Sequence, residues 1–454
     1  MLKRQRKRSN PAADRSARRA GNSVNDREKR RHGGLIRGTA SLVQTRQKPR
    51  LAFAGLAWHP LPMGLKIAIV GAGIGGLSAA ALAALQSHEV TLFERFDHPR
   101  PLGSGLVIQP VGLAVLDAIG VGENARALGS PILRMAGHEA TAGRTVLHVD
   151  YRKTDPGLAL HRASLFQVLW DKVQALGIPV VTSAAVQSAP ADGVKRRLQL
   201  ADGRNLGPFD LVIDASGTGS ALSPLKARAL PFGAIWGTVP WPAATSLERS
   251  ELRQRYLRAD HMIGILPIGR APSDPSPIAA IFWSLPVGQL PLWQDRPLAE
   301  WKGKAVGLWP EIEPFLASIT NHAQMVPARY THGTLRRPFA PALAFIGDAA
   351  HRASPQLGQG ANMAMLDAFA LITSLCQPLS DALPAYAAMR RWHVRAYQAM
   401  SAIFTPMYQS DSRALPVLRD YLLAPSARLP GIRGLLTSLV SGDMIPPLAG
   451  QAFP

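Results

Sequence analysis

Sixteen consecutive residues group the side chains best suited to chemistry: Gly347-Asp348-Ala349-Ala350-His351-Arg352-Ala353-Ser354-Pro355-Gln356-Leu357-Gly358-Gln359-Gly360-Ala361-Asn362. The apolar run Ala342 to Ile346 reads as a buried strand that delivers Gly347 and Asp348 at its end. A loop with Pro355, Gly358 and Gly360 follows, and an apolar helical pattern runs from Met363 to Leu371. A carboxylate at a strand end is thus followed by a helix N-terminus. Its unpaired N–H groups and partial positive charge suit an anion or an electron-rich ring edge. A second constellation lies upstream, where Gly71-Ala72-Gly73-Ile74-Gly75-Gly76 separates the β run Lys66 to Val70 from an Ala/Leu helix, Leu77 to Gln86. The strand Glu89 to Phe93 then ends at Glu94 and Arg95. This is a Gly-x-Gly-x-x-Gly fingerprint inside a βαβ unit. Gly71 allows the tight turn, Gly73 admits a pyrophosphate, Gly76 lets helix pack on strand, and Glu94 can accept both hydroxyls of an adenosine ribose. The fingerprint does not choose between NAD and FAD.

These groups need elements to position them. After Arg100 and Pro101 comes Gly103-Ser104-Gly105-Leu106, leading through Pro110 into a helix over Val111 to Ile119 that stops at Gly120. Alternation over residues 133–152 predicts a hairpin turning near Ala142-Gly143. His161-Arg162 opens a helix with Leu165, Leu169, Val173 and Leu176 on one face. Phe209 to Gly217 is another strand leading to a glycine turn. Residues 224–336 change character, with Trp236, Trp241, Trp283, Trp293, Trp301 and Trp309, many prolines, and short alternating runs such as Met262 to Pro267. They read as a mixed sheet with a helix near Leu298 to Ile319. Aromatic residues there are core first and ligand wall second. A helix pair spans Ala382 to Ser401, and residues 411–454 are rich in Leu, Pro and Arg. Their broken periodicity leaves open a cover over a pocket or peripheral contact with a membrane surface.

Composition narrows the class. The 454 residues suffice for two domains. Cys376 is the only cysteine, which excludes an intramolecular disulfide and a Cys-based metal site and suits a reducing, cytoplasmic setting. The formal charge is +21, but residues 1–50 hold 16 Lys+Arg against 3 Asp+Glu and the remainder 35 against 27. The excess is a tail effect. The tail reads as disordered. It fits translated sequence ahead of a start at Met63, an organelle transit peptide, or a contact with nucleic acid or acidic lipid. No stacking aromatics interleave with the charge, so no nucleic-acid partner is expected. Ile67 to Ser87 carries no charged residue, yet its glycines mark a strand–turn–helix, and no transmembrane segment is expected.

The Gly347–Asn362 stretch resembles the GD motif of the group A flavin monooxygenases, the aromatic-hydroxylase family. The resemblance runs from Lys66 to Ser401. It implies an α/β fold: a Rossmann-like FAD-binding domain with an inserted mixed-sheet substrate domain and C-terminal helices. In these terms residues 1–62 are a basic extension, 63–132, 154–223 and 337–375 form the FAD-binding domain, 133–153 and 224–336 the substrate domain, and 376–454 a helical region. The resemblance implies FAD contacts from Gly71, Gly73, Ile74, Gly76, Glu94, Arg95, Gly105, Leu106, Arg162, Asp348, Pro355, Gly358, Gly360, Ala361 and Asn362. It implies reduction by NAD(P)H, a flavin hydroperoxide formed with O2, and hydroxylation of a small aromatic or similarly electron-rich substrate. No catalytic side chain stands out; His351 reads as structural, and Tyr330 and His332 are weaker candidates. One motif departs from the family: Asp214-Ala215-Ser216-Gly217 and Ser220-Ala221-Leu222-Ser223 stand where Gly-Ala-Asp-Gly and Ser-x-x-Arg are usual. Asp214 or Ser216 is left to supply the polar contact. A related halogenase or alkene reductase is the alternative, although Trp236 to Trp241 does not match the halogenase motif.

Overall fold

The computed structural model describes residues 64–98, 103–451 and 453. The basic extension, the start at Met63, and Arg100 with Pro101 lie outside the described residues. Continuous apolar runs build a central sheet buried on both faces, as parallel strands covered by helices require. Its order is Phe339–Ala340, Leu343–Phe345, Leu211–Asp214, Lys66–Val70, Glu89–Phe93 and Val180–Val181, parallel except for the first pair. The helices Ile74–Leu85, Arg162–Ala175 and Gly360–Ser374 share one core with it. The opposite face packs Phe93, Val212 and Phe345 against a small sheet built from residues 186–209.

The predicted hairpin forms from Arg134–Glu139 and Thr145–Asp150 and joins an eight-stranded sheet whose longest members are Arg228–Pro240, His261–Ala271 and Asp274–Pro286. One face of that sheet packs Ile235, Ile263, Ile281 and Trp283 beneath the short helices of residues 298–316. The predicted helix over Leu298 to Ile319 breaks at Trp309, where Pro310 opens a new turn. On the other face Thr238 and Ala280 meet the segment Ser104–Gly105, while Trp236 and Phe282 pack with Val146, Tyr256 and Met262.

Two further expectations change in form. The helix pair over Ala382 to Ser401 is one 30-residue helix, Leu379–Tyr408, that begins directly after Pro378. Proline is well placed ahead of a helix, because the first amides have no partner to lose. The strand before Gly347 shrinks to Leu343–Phe345, since Ala342 at φ 52° and Gly347 at φ 58° turn the chain at either end. Among the described residues no helix is long and apolar enough to cross a membrane.

Candidate functional site

At the first turn, backbone geometry does the positioning. Gly71 has φ +101°, and its N–H donates to the Phe93 carbonyl at 2.7 Å. A Cβ on Gly76 would collide with the Gly71 carbonyl oxygen, so helix and strand approach only because that atom is missing. Gly73 is the reverse case: a Cβ there would meet nothing within 4 Å. Gly73 also N-caps the helix Ile74–Leu85, with no side chain capping its amides. Unpaired N–H groups facing open space form an anion cradle. Glu94 braces the turn: Oε2 accepts from the Ala72 N–H at 2.8 Å and Oε1 from the Phe96 N–H at 3.1 Å. Each carboxylate oxygen keeps lone-pair capacity for a further donor. Arg95 is exposed and lies over the Phe96 ring at 4.7 Å.

The Gly347–Asn362 end is held by side chains from distant parts of the chain. The Gly347 N–H donates to Asp367 Oδ2 at 2.9 Å, and His351 Nε2 lies 2.6 Å from the same oxygen. Arg390 Nε donates to Asp367 Oδ1 at 2.8 Å. Burial pushes the Asp367 carboxyl up, but His351 and Arg390 outweigh it and hold the group at about 2. Arg390 Nη1 also donates to the Pro447 carbonyl at 2.6 Å and contacts His393 Nδ1 at 3.2 Å, while His393 Nε2 lies 2.9 Å from the Gly442 carbonyl. That geometry requires a neutral His393 with its proton on Nε2. Burial and the Arg390 charge agree, lowering His393 to about 3. Tyr386 completes the brace by donating to the Phe345 carbonyl at 2.8 Å.

Asn362 is wholly buried and works through its side chain. Oδ1 accepts from the Gln109 N–H at 2.8 Å, and Nδ2 donates to the carbonyls of Val107 at 3.1 Å and Gly358 at 3.0 Å. It staples the Gly105–Ile108 strand, with Leu106, to the helix Gly360–Ser374. No side chain caps that helix, and a Cβ on Gly360 would meet nothing within 4 Å. Pro355 opens the short turn before it, which closes at Gly358 with φ 61°. Ala361 is part-buried in the first turn.

Arg162 and Asp348 identify the channel between the two ends. Both side chains are accessible to water, yet both are surrounded by protein: burial raises the Asp348 carboxyl and lowers the Arg162 guanidinium, and each charge partly offsets the other. A group that is accessible and still desolvated sits on the wall of a recess. Arg162 Cδ is 3.4 Å from where a Gly103 Cβ would stand, which places the 103–105 loop on the same wall. Two uncapped helix N-termini with open fronts, a buried acid beside the first, and a recessed Arg–Asp pair fit an extended dinucleotide cofactor.

The departed motif is used internally. Asp214 is fully buried; burial raises its carboxyl, and the hydroxyls of Ser216 and Ser220 donate to it. Ser223 Oγ donates to the Ala349 carbonyl at 2.6 Å, tying this turn to the Gly347 loop. Asp214 therefore secures the turn from inside and presents no polar contact to the channel. His351 is committed to Asp367, and His332 Nε2 lies 3.0 Å from Ser401 Oγ. Sequence reasoning missed Gln109, Asp367 and Tyr386, and gave Arg390 and Thr238 no role. One signal was present: Asp367 is a lone carboxylate inside the apolar pattern Met363 to Leu371.

The family model described as FAD binding domain matches residues 64–211 and 309–400. The 6-methylpretetramide 4-monooxygenase of Streptomyces rimosus is 27% identical over 419 residues, spanning 85% of this chain and 95% of its own. An FAD-dependent urate hydroxylase of Klebsiella pneumoniae is 25% identical over 349 residues, spanning 73% and 87%. The crystal structure of Klebsiella pneumoniae HpxO complexed with FAD and uric acid superposes with a TM-score of 0.72 at 21% identity, covering 86% of this chain and 99% of that one. At that identity the superposition establishes the fold.

Proposed function

This chain belongs to the FAD binding domain family and is an FAD-dependent oxidoreductase of the monooxygenase class, and on that premise we propose that it hydroxylates a small, planar, electron-rich aromatic with NAD(P)H and O2 as co-substrates. The observation that carries this reading is the Arg162–Asp348 pair, accessible yet desolvated, together with two helix N-termini that no side chain caps. FAD, when bound, supplies the two-electron chemistry and the activation of O2. In this reading the amides of Ile74, Gly75 and Gly76 hold phosphate, and Glu94 accepts from ribose. Arg162 and Asp348 line the middle of the channel. The amides of Gly360, Ala361 and Asn362 stabilise negative charge at the ring edge by dipole and hydrogen bonding. Trp236 and Phe282 keep water from the reacting face. The relatives named for urate and for 6-methylpretetramide support a ring bearing oxygen or nitrogen.

The test uses the purified full chain loaded with FAD. Oxidation of NADH and of NADPH is followed with and without a panel of phenols, hydroxyquinolines and purines. The expected result is oxidation stimulated at least severalfold by one ring class, with a product heavier by one oxygen atom. Product formation that requires halide, or reduction of a substrate double bond without oxygen uptake, would overturn it.

A further inference from the structure

The eight-stranded sheet carries an aromatic patch whose polar group has no assigned role. Val326, Trp236 and Phe282 are direct cross-strand neighbours on one face. Trp236 stacks on Phe282 with centroids 4.5 Å apart and planes 31° apart, and Val326 is 56% exposed. The patch is therefore apolar and exposed at its Val326 end. The Tyr330 strand also reaches the Gly347 loop, where Gly333 pairs with Arg352. Thr238, two residues along the same strand face from Trp236, lies with Oγ1 2.7 Å from Ser104 Oγ, and Ser104 belongs to the loop beside Arg162.

Trp236 Nε1 donates to the Tyr330 hydroxyl at 2.7 Å. An indole nitrogen can only donate, so the Tyr330 oxygen is the acceptor and its own proton is free to point elsewhere. Among the described residues that proton has no acceptor. Burial pushes the Tyr330 phenol up to about 12, so the proton stays in place at any working pH. Trp236 thereby fixes the oxygen, and the remaining donor is aimed by the tether. Tyr330 is part-buried, so its hydroxyl proton stays within reach of a ligand acceptor. His332, the neighbouring titratable group, is already engaged with Ser401.

We propose that the Tyr330 hydroxyl, tethered by Trp236, is the hydrogen-bond donor that fixes the substrate, and that it selects a planar aromatic ring carrying an acceptor oxygen, whether phenolic, carbonyl or carboxylate. The inference rests on the hydroxylase reading for what happens next, but the binding claim stands apart from it. A site built to donate to a substrate oxygen discriminates strongly against the analogue that lacks one.

The experiment is titration of the FAD-loaded full chain, read by perturbation of the flavin absorbance, with 4-hydroxyquinoline and with naphthalene as probes. Wild type binds 4-hydroxyquinoline more tightly. Tyr330→Phe reduces that preference about tenfold, the loss of one hydrogen bond, while naphthalene moves less than about twofold. Trp236→Phe keeps the donor and removes its tether, so the preference falls in the same direction by about threefold. Flavin spectra matching wild type establish that each variant is folded. An unchanged preference in both variants, or no preference in wild type, overturns the proposal. If the preference collapses as expected but no ring is oxygenated, the Tyr330 site stands and the hydroxylase reading fails. If oxygenation persists with the preference intact in both variants, the reverse holds.

Discussion

The two ends of the proposed cofactor channel are built on different principles. The Gly71–Glu94 end is local: three glycines and one acid within a single βαβ unit make the cradle, and only glycine fits at 71 and 76. The Gly347–Asn362 end is assembled at long range. Its loop is held by Asp367, Asp367 by Arg390, and Arg390 by the Pro447 carbonyl of the C-terminal segment. Ring chemistry needs its dipoles held still while charge develops, and a buried charge network with few alternative arrangements supplies that rigidity. Phosphate binding tolerates a simpler device.

That contrast can be broken at either end. The largest expected effect is at the ring end. Asp367→Asn leaves Arg390 buried without a counter-charge, at a cost of about 3–5 kcal/mol. The urea midpoint should fall, and protease cleavage should appear near residues 442–448 as well as in the Gly347 loop. A loss confined to flavin retention would mean the network is not one unit. At the other end, Gly76→Ala forces a methyl onto the Gly71 carbonyl, at about 3 kcal/mol, the upper part of the overpacking range. Flavin content should fall, with the C-terminal segment protected as in wild type.

Smaller, but specific in sign, is the effect of acid. His393 has a folded value of about 3 against 6.5 unfolded, so the unfolded chain takes up its proton first as pH falls. Its contribution is intact above pH 6.5 and drains away toward pH 3. Between pH 7.5 and 5.0 it should cost about 2 kcal/mol. Denaturation at the two pH values should show that difference in wild type and a reduced one in His393→Gln; an equal pH dependence in both would remove His393 as the sensor.

The same contrast explains what the sequence made legible. Gly71, Gly73, Gly76 and Glu94 form a spacing code within one supersecondary unit, so their places followed from chemistry and order alone. The apolar runs placed the central strands, and alternation placed the hairpin. Asp367, Arg390 and the Asn362 side chain act across separations from 16 to 255 residues, and no periodicity encodes such pairings. Tyr330 was visible in the sequence only as a weaker candidate ahead of the Gly347 strand. Its meaning lies in the sheet register that sets it near Trp236, a long-range fact. Asp214 was left open beside Ser216 for a related reason: a carboxylate at a strand end can serve the ligand or its own turn, and here the hydroxyls of Ser216 and Ser220 bond it within the turn.

The central claim is that oxygen from O2 enters an aromatic substrate at this FAD site. The direct measurement is a single-turnover reaction of the NADPH-reduced, FAD-loaded protein under 18O2, with the stimulating ring from the panel present and the product analysed by mass. The account predicts one 18O atom in the hydroxylated product. Product carrying oxygen from water, or flavin reoxidation that returns only hydrogen peroxide with every ring in the panel, would contradict it.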